Sequence, residues 1–476
     1  MTSVQVAVVG GGPGGYAAAF LAADLGLSVA LVDPEANPGG VCVYRGCIPS
    51  KALLHVAKLV TESRHAAAWG IDFGEPRIDL EKLRGFKASV VARLTSGTGQ
   101  LAKHRKVRYV QGLAELVGPH TLRIRTVSGG QDTLQFEYAI LATGSSPAVP
   151  PMLQVDDPRV MDSTAALELP DIPKSLLVVG GGYIGLELGS VYATFGSAVT
   201  VVEMTPGLLP GADRDLVDIL AKRIDKLMTS VRLNTRVVQM KPEAKGIRVT
   251  FEGDGSTQGG NEAPREQVFD RVLVSVGRRP NSKIPGLDTT RVKINERGFI
   301  VVDGQRRTDE PSIFAIGDVV GEPMLAHKAS HEGRVAVEVI AGENVAFEPR
   351  TIPAVVFTDP ELAWCGLTEA QAQKEERKVT VAKFPWGASG RAITLDRMDG
   401  LTKLILDPAS ERLLGVGLVG HGAGELIAEG VLAIEMGANA TDLKLSIHPH
   451  PTLSETLMES AEVFFGQATH VYRPKR

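Results

Sequence analysis

The chain has 476 residues, 43% of them hydrophobic and 22% charged, enough for about three domains with separate cores. A formal net charge of −4 leaves no electrostatic excess for nucleic acid or an anionic membrane, so small molecules and other proteins are the expected partners. No apolar stretch reaches the about 18 residues of a membrane span, no basic segment precedes an apolar one at the N-terminus, and three cysteines are too few for a disulfide scaffold, which points to a reducing, cytoplasmic setting.

In chain order, the first element is an apolar strand that runs into Gly10, Gly12 and Gly15, spaced G-x-G-x-x-G. An Ala/Leu-rich helix pattern and a second apolar strand ending at Asp33 follow. Sliding the chain by 170 positions repeats the whole pattern: Gly10 falls on Gly180, Gly12 on Gly182, Gly15 on Gly185 and Asp33 on Glu203. Each copy reads as a βαβ dinucleotide-binding unit. The glycines permit a tight turn, a close approach of backbone to pyrophosphate, and close helix–strand packing. The helix N-terminus offers N–H groups to phosphate, and the acid meets a ribose diol. Two units imply two dinucleotides. For the second, Glu203 would repel a 2′-phosphate and no arginine follows in 204–207, so NAD is favoured over NADP.

Just after the first unit's second strand, residues 39–51 hold Cys42 and Cys47 and close on Lys51. In a regular helix residues five apart have Cα atoms about 8–9 Å apart, whereas a disulfide needs less than about 7 Å. If the two cysteines bond, the segment is irregular between them and a helix starts afterwards, with Pro49 in its first turn. Cys47 then sits at a helix N-terminus one turn from Lys51, a setting that stabilises thiolate. The alternative is a buried pair of thiols.

Further on, residues 138–144 read as a buried strand ending in a turn at Thr143 and Gly144, and a polar, proline-bearing segment marks the first domain boundary near 148. A similar run over 272–281, including Gly277, closes the second unit, and the polar, glycine-rich stretch 253–266 suits an exposed hairpin loop. Residues 308–318 form a short strand delivering Asp318, either a ligand contact or a cap for the helix that begins near Leu325. From about Thr351 strand-like runs at 401–406 and 415–419 and a helix over 423–436 suggest an oligomerisation or capping domain. Cys365 lies in a strand-like apolar context and reads as inert packing. The basic runs 103–106 and 473–476 read as a solvated face and a mobile end.

The informative part ends with His448, Pro449, His450, Pro451 and, further on, Glu455. Three readings stand: a metal site, for which no third ligand is close; a general base oriented by Glu455; or a plain surface loop. No metal is expected.

Residues 39–51 resemble the redox-active segment of the pyridine nucleotide-disulfide oxidoreductases. The run Ile48, Pro49, Ser50, Lys51 and the tail from His448 to Glu455 are most similar to the branch that reoxidises dihydrolipoyl groups in 2-oxo acid dehydrogenase complexes. The likeness covers essentially the whole chain. It implies an α/β fold of two Rossmann-like dinucleotide-binding domains (1–148 for FAD, 149–279 for NAD), a central domain (280–349) and a C-terminal α+β dimerisation domain (350–476). It also implies a redox-active disulfide between Cys42 and Cys47.

FAD is then expected against Gly10, Gly12, Gly15, Asp33, Gly40, Lys51, Ala114, Thr143, Gly144, Asp318 and Ala326. NAD is expected against Gly180, Gly182, Gly185, Glu203, Val237 and Gly277, with Tyr183 as a gate. Glu187 would pair with Lys51, and His450, oriented by Glu455, would serve the dithiol of the other subunit in a homodimer. The implied partners are a lipoyl group on an acyltransferase lipoyl domain and the core of a 2-oxo acid dehydrogenase complex. The alternatives are another NAD(P)H-dependent disulfide reductase, a soluble transhydrogenase, or a docking scaffold. The chain departs from the pattern at Asp33, Val41, Val43, Tyr44, Arg45 and Pro449; Arg45 adds a cation that either lowers the cysteine pKa values or faces solvent.

Overall fold

The computed structural model describes residues 2–253 and 264–472. Most of the expected hairpin loop over 253–266 and the basic end 473–476 lie outside the described residues.

β1 (Thr2–Val9) leads through the first glycine loop into α1 (Pro13–Asp24), and β2 (Val29–Asp33) returns parallel to β1, with Val6 opposite Val29 and Val9 opposite Val32. Every residue of β2 is buried, as an apolar parallel strand covered on both faces requires. Two helices in tandem, α2 (Gly40–Arg45) and α3 (Cys47–His65), carry the cysteines, and α4 (Leu80–His104) follows, capped by the Asp79 carboxylate. β3 (Arg108–Leu116) joins β2 in parallel, then leaves for an antiparallel ribbon with β4 (Thr121–Thr126). β5 (Gln131–Leu141) pairs with β4 at its start and runs parallel to β1 further on.

The second unit is entered through β6 (Ser145–Pro147), β7 (Val160–Met161) and α5 (Ser163–Leu167). β8 (Ser175–Val179), α6 (Tyr183–Thr194) and β9 (Ala198–Val202) repeat the first βαβ, and α7 (Arg214–Leu227) leads to β10 (Ser230–Arg232). β11 (Thr235–Glu243), β12 (Gly246–Gly253) and β13 (Glu266–Phe269) form an antiparallel sheet, before β14 (Arg271–Val274) returns to the parallel one in the order β10-β9-β8-β14-β7. β15 (Arg278–Pro280) pairs antiparallel with β6, so the two crossings between units are tied to each other.

β16 (Ile313–Ala315) returns to the first sheet beside β5, and α8 (Ala326–Ile340) packs on α1. The two helices touch through backbone: a Cβ on Gly333 would lie 2.7 Å from the Gly14 carbonyl oxygen. Asp318 sits in a single turn before α8, whose N-cap is Leu325 with no side-chain cap. The capping role is therefore not filled by Asp318.

The C-terminal part comprises β17 (Ala354–Val356), β18 (Glu361–Gly366), α9 (Glu369–Lys374), β19 (Thr380–Pro385), α10 (Gly390–Thr394), β20 (Leu401–Leu406), β21 (Leu413–Gly420), α11 (Ala423–Met436), α12 (Ala440–Leu445) and α13 (Glu455–Phe464). Its five strands form an antiparallel sheet in the order β17-β18-β21-β20-β19. Cys365 in β18 is buried, and burial pushes its thiol up to about 12. Lys403 of β20 is 1% exposed and meets Asp213, Asp215 and Glu369 at 2.6, 2.7 and 2.8 Å, locking α7 to this sheet. Among the described residues no helix is long and apolar enough to cross a membrane.

Candidate active site

Cys42 and Cys47 occupy the junction of two helices. Cys42 lies within the six-residue α2, Gly46 breaks the helical path with φ −144° and ψ −114°, and Cys47 is the first residue of α3. Pro49 falls in the first turn of α3, as the spacing predicts; the short helix around Cys42 is an addition the sequence did not signal. Gly46 lets the segment fold back on itself, since a Cβ there would lie 2.9 Å from the Val41 carbonyl oxygen. The two cysteines form a close pair near 2.8 Å apart, which brings together the residues of the disulfide that the resemblance implies.

The two thiols hydrogen-bond to each other and take opposite electrostatic roles. The hydrogen bond from Cys42 holds the Cys47 thiol down at about 7; burial opposes this, and the Lys51 ammonium and the uncapped start of α3 favour the thiolate. The same hydrogen bond, with burial, pushes Cys42 up. Lys51 Nζ donates to Glu187 Oε2 at 2.8 Å, and Glu187 is 3% exposed. Glu187 also accepts from Ser50 Oγ at 3.1 Å and from the Phe357 N–H at 3.0 Å. The Phe357 ring lies 4.4 Å from Lys51 Nζ, a cation–π contact.

A cavity of about 520 Å³ runs from the first glycine loop to this pair. Gly10, Gly12, Gly15, Asp33, Gly40, Ala114, Thr143, Gly144, Asp318 and Ala326 all line it, together with Cys42, Cys47, Lys51, Glu187 and Tyr183. Gly40, with φ +57°, allows α2 to start against the loop: a Cβ there would lie 2.4 Å from Gly12 Cα. Asp33 accepts from the Gly11 N–H at 2.5 Å and the Glu35 N–H at 2.9 Å; burial raises its carboxyl, opposed by Gly11 and Arg45. Asp318 accepts from Ser145 Oγ at 2.5 Å, and Arg278 Nε donates to that same hydroxyl at 2.7 Å.

Gly180, Gly182, Gly185, Glu203, Val237 and Gly277 do not line this cavity. They belong to the second βαβ unit, where Glu203 accepts from the Gly181 N–H at 2.7 Å and from the Thr205 N–H and hydroxyl, each at 2.8 Å. The Val237 side chain is buried in the core under β11, which leaves only its backbone to face a ligand, at a register shift between Val237 and Gln239. Tyr183 is the first residue of α6 and reaches the first cavity; burial raises its hydroxyl to about 12.

His450 is elsewhere. Its Nδ1 lies 2.9 Å from Glu455 Oε1, its side chain is 72% exposed, and it does not line the cavity of its own chain. Burial raises the Glu455 carboxyl, but the Thr452 N–H and His450 outweigh it and hold it below the usual range. His448 is turned inward instead, with Nε2 2.7 Å from Glu429 and Nδ1 2.8 Å from the Ser446 carbonyl oxygen.

The family model described as "Pyridine nucleotide-disulphide oxidoreductase" matches residues 4–333, and the dimerisation domain of the same family matches 352–461. The chain belongs to the pyridine nucleotide-disulphide oxidoreductases. A dihydrolipoyl dehydrogenase from Haemophilus influenzae is 49% identical over 99% of this chain and 97% of its own length. One from Thermus scotoductus is 45% identical over 99% of each. Among solved structures, LpdA from Mycobacterium tuberculosis superposes with a TM-score of 0.87 at 26% identity, covering 97% of this chain and 99% of that one. The Cu(II) complex of an HOCl-induced flavoprotein disulfide reductase from Escherichia coli gives 0.86 at 28%, covering 97% and 100%.

The pyridine nucleotide-disulphide oxidoreductases use FAD and NAD(H), and the residues present fit both. The helix starts of α1 and α6 have no side-chain cap and no acid in the first turn, so neither competes with a pyrophosphate. A single cavity connects the Asp33 end of the first loop with the dithiol, the run that an extended flavin dinucleotide requires.

The structure adds residues that the sequence reading missed. Phe357 and Ser50 complete the shell of the Lys51–Glu187 pair, and Arg278 with Ser145 orients Asp318. Arg278 and Ser50 stood beside motifs already singled out; nothing local in the sequence marks Phe357, which comes from the C-terminal part.

Proposed function

We propose that this protein is a dihydrolipoyl dehydrogenase, which oxidises dihydrolipoyl groups to lipoyl groups and reduces NAD to NADH. The observation that carries the reading is the Cys42–Cys47 pair, broken at Gly46 and set beside Lys51 in the cavity of the first glycine loop.

In the oxidised enzyme Cys42 and Cys47 form a disulfide. His450, reaching in from the partner subunit and oriented by Glu455, takes a proton from a substrate thiol. The substrate thiolate attacks the Cys42 sulfur, the Cys42–Cys47 bond breaks, and its electron pair leaves on Cys47, giving a mixed disulfide. The second substrate thiol then attacks the first substrate sulfur, expelling Cys42 as a thiol and closing the lipoyl ring. Cys47 remains as thiolate, stabilised by the donated Cys42 hydrogen bond and by Lys51. Gly10, Gly12, Gly15, Asp33, Lys51 and Asp318 would hold FAD, which would supply the two-electron relay between the dithiol and NAD. Glu187 holds Lys51 in place, Tyr183 covers the nicotinamide side, and Glu203 sets NAD over NADP.

The remaining assignments belong to the same proposal. The domains run 1–148, 149–279, 280–349 and 350–476, with the last forming a homodimer. The exposure of His450 and its absence from its own chain's cavity support a base lent across that interface. The substrate lipoyl group is carried by a lipoyl domain of a 2-oxo acid dehydrogenase complex, in the cytoplasm. The test is Cys47→Ser: dihydrolipoamide-dependent NADH formation is expected to vanish, and normal turnover would overturn the reading. A docking scaffold without catalysis would bind a complex core while showing no turnover in the unaltered protein.

A further inference from the structure

Lys51 forms part of two cavities. Beyond it, between α3, α6, α7 and the turn that joins β17 to β18, lies a second cavity of about 500 Å³ that the redox chemistry does not use. Its cations are Lys58 on α3 and Arg223 and Lys226 on α7, with His55 and His421 at the edges. The side chains of Lys58, Lys226, His55 and His421 form no hydrogen bond and no close ion pair among the described residues, although the Lys58 charge acts on Glu361 and His421. The nearest carboxylate oxygen to Arg223 is that of Asp359 at 3.9 Å, too long for a hydrogen bond.

The acids of the cavity are Asp359, Glu361 and Glu425. The first two are occupied: Asp359 is held by Arg397, and Glu361 accepts the Gly424 N–H at 2.9 Å while burial raises its carboxyl toward the neutral form. Glu425 is exposed. A separate observation points into the same space. Ser190 is 6% exposed and lines the cavity one turn of α6 after Glu187, and its hydroxyl has no partner among the described residues. A buried hydroxyl left unpaired costs free energy that a ligand would recover. Leu54, Leu227 and Phe357 give the rest of the wall an apolar face.

We propose that this second cavity binds a small organic phosphate, with Arg223, Lys226, Lys58 and the Ser190 hydroxyl around the phosphate and the organic body against Phe357 and Leu227. Free cationic donors with a hydroxyl suit a dianion, and a cavity of this size exceeds what inorganic phosphate fills. Its occupant would stand one side chain, Lys51, from the dithiol.

The test titrates phenyl phosphate by calorimetry into the FAD-loaded enzyme with NAD at saturation, so that both glycine loops are filled. Saturable binding is expected, tighter than that of phenol or benzoate by about ten-fold or more. The double variant Arg223→Gln, Lys226→Gln should lose about ten-fold or more in affinity, and Ser190→Ala about three-fold, as the loss of charged and neutral hydrogen bonds respectively. Dihydrolipoamide turnover without phenyl phosphate should be unchanged in the double variant. Absence of saturable binding, equal binding of benzoate or phenol, or unchanged affinity in the double variant would each overturn the proposal. None of these outcomes bears on Cys47→Ser, which tests the redox reading separately.

Discussion

Arg45 donates to the Glu35 carboxylate, joining the last residue of α2 to the segment that follows β2. The guanidinium therefore turns from the cysteines between which it stands in sequence, and its electrostatic influence falls on Asp33, whose carboxyl it helps to lower. Of the two sequence readings, a role in thiol ionisation is not what the geometry supports. Replacing Arg45 by Met should leave the pH profile of Cys47 alkylation in place and cost about 1 kcal/mol or less, as for a partly exposed pair, checked by denaturant unfolding.

The thiols themselves give a pH prediction. With Cys47 held at about 7, iodoacetamide should modify the reduced enzyme at a rate that rises as pH climbs through about 7, because only thiolate reacts. In Lys51→Met the ammonium that favours thiolate is gone, so the same rise should move to higher pH. A profile unmoved by that substitution would remove Lys51 from the electrostatics of the pair.

The exposed His450–Glu455 pair allows a complementation experiment. His450→Gln should lower dihydrolipoamide oxidation by about 10²–10⁴-fold while NADH-driven reduction of a dye persists. If the base comes from the partner subunit, random reassortment of inactive Cys47→Ser and His450→Gln dimers should restore about a quarter of full activity, since half of the dimers are mixed and each mixed dimer has one complete site. A base acting within its own chain would restore none.

Lys403 gathers three carboxylates at 1% exposure. Lys403→Met should cost about 3–5 kcal/mol by leaving buried charge uncompensated, whereas Lys383→Met, at 35% exposure on two of those acids, Asp215 and Glu369, should cost about 1 kcal/mol or less. Thermal unfolding of the two variants side by side provides the comparison.

Glu203 should carry the nucleotide preference. Glu203→Ala is expected to weaken NAD use and to narrow the preference for NAD over NADP by about ten-fold, the worth of a lost charged hydrogen bond, read from kcat/KM with each nucleotide.

Much of this was legible because it is local. The repeat at 170 positions fixes both glycine loops and both carboxylates, and the helix over 423–436 coincides with α11. If Cys42 and Cys47 bond, their spacing calls for a break in the helix between them, and the structure has one at Gly46. What escaped is tertiary. The return of β16 to the first sheet, the packing of Phe357 on Lys51 and the Lys403 network each join segments far apart in sequence. Hydrophobic periodicity reports which face of an element is buried and is silent on the partner. Asp318 shows the same limit: a strand followed by an acid near a helix suits a cap or a ligand equally well until the distance to Leu325 and the bond from Ser145 are seen.

Asp33 grips the Gly11 N–H and Glu203 grips the Gly181 N–H, the same bond in both copies of the repeat. Each glycine loop, the most entropically costly kind of backbone to order, is thus already fastened by its own acid before a nucleotide arrives. The ordering free energy is spent during folding, so binding need not supply it. Duplication of the unit has carried forward a preassembled receptor along with the motif.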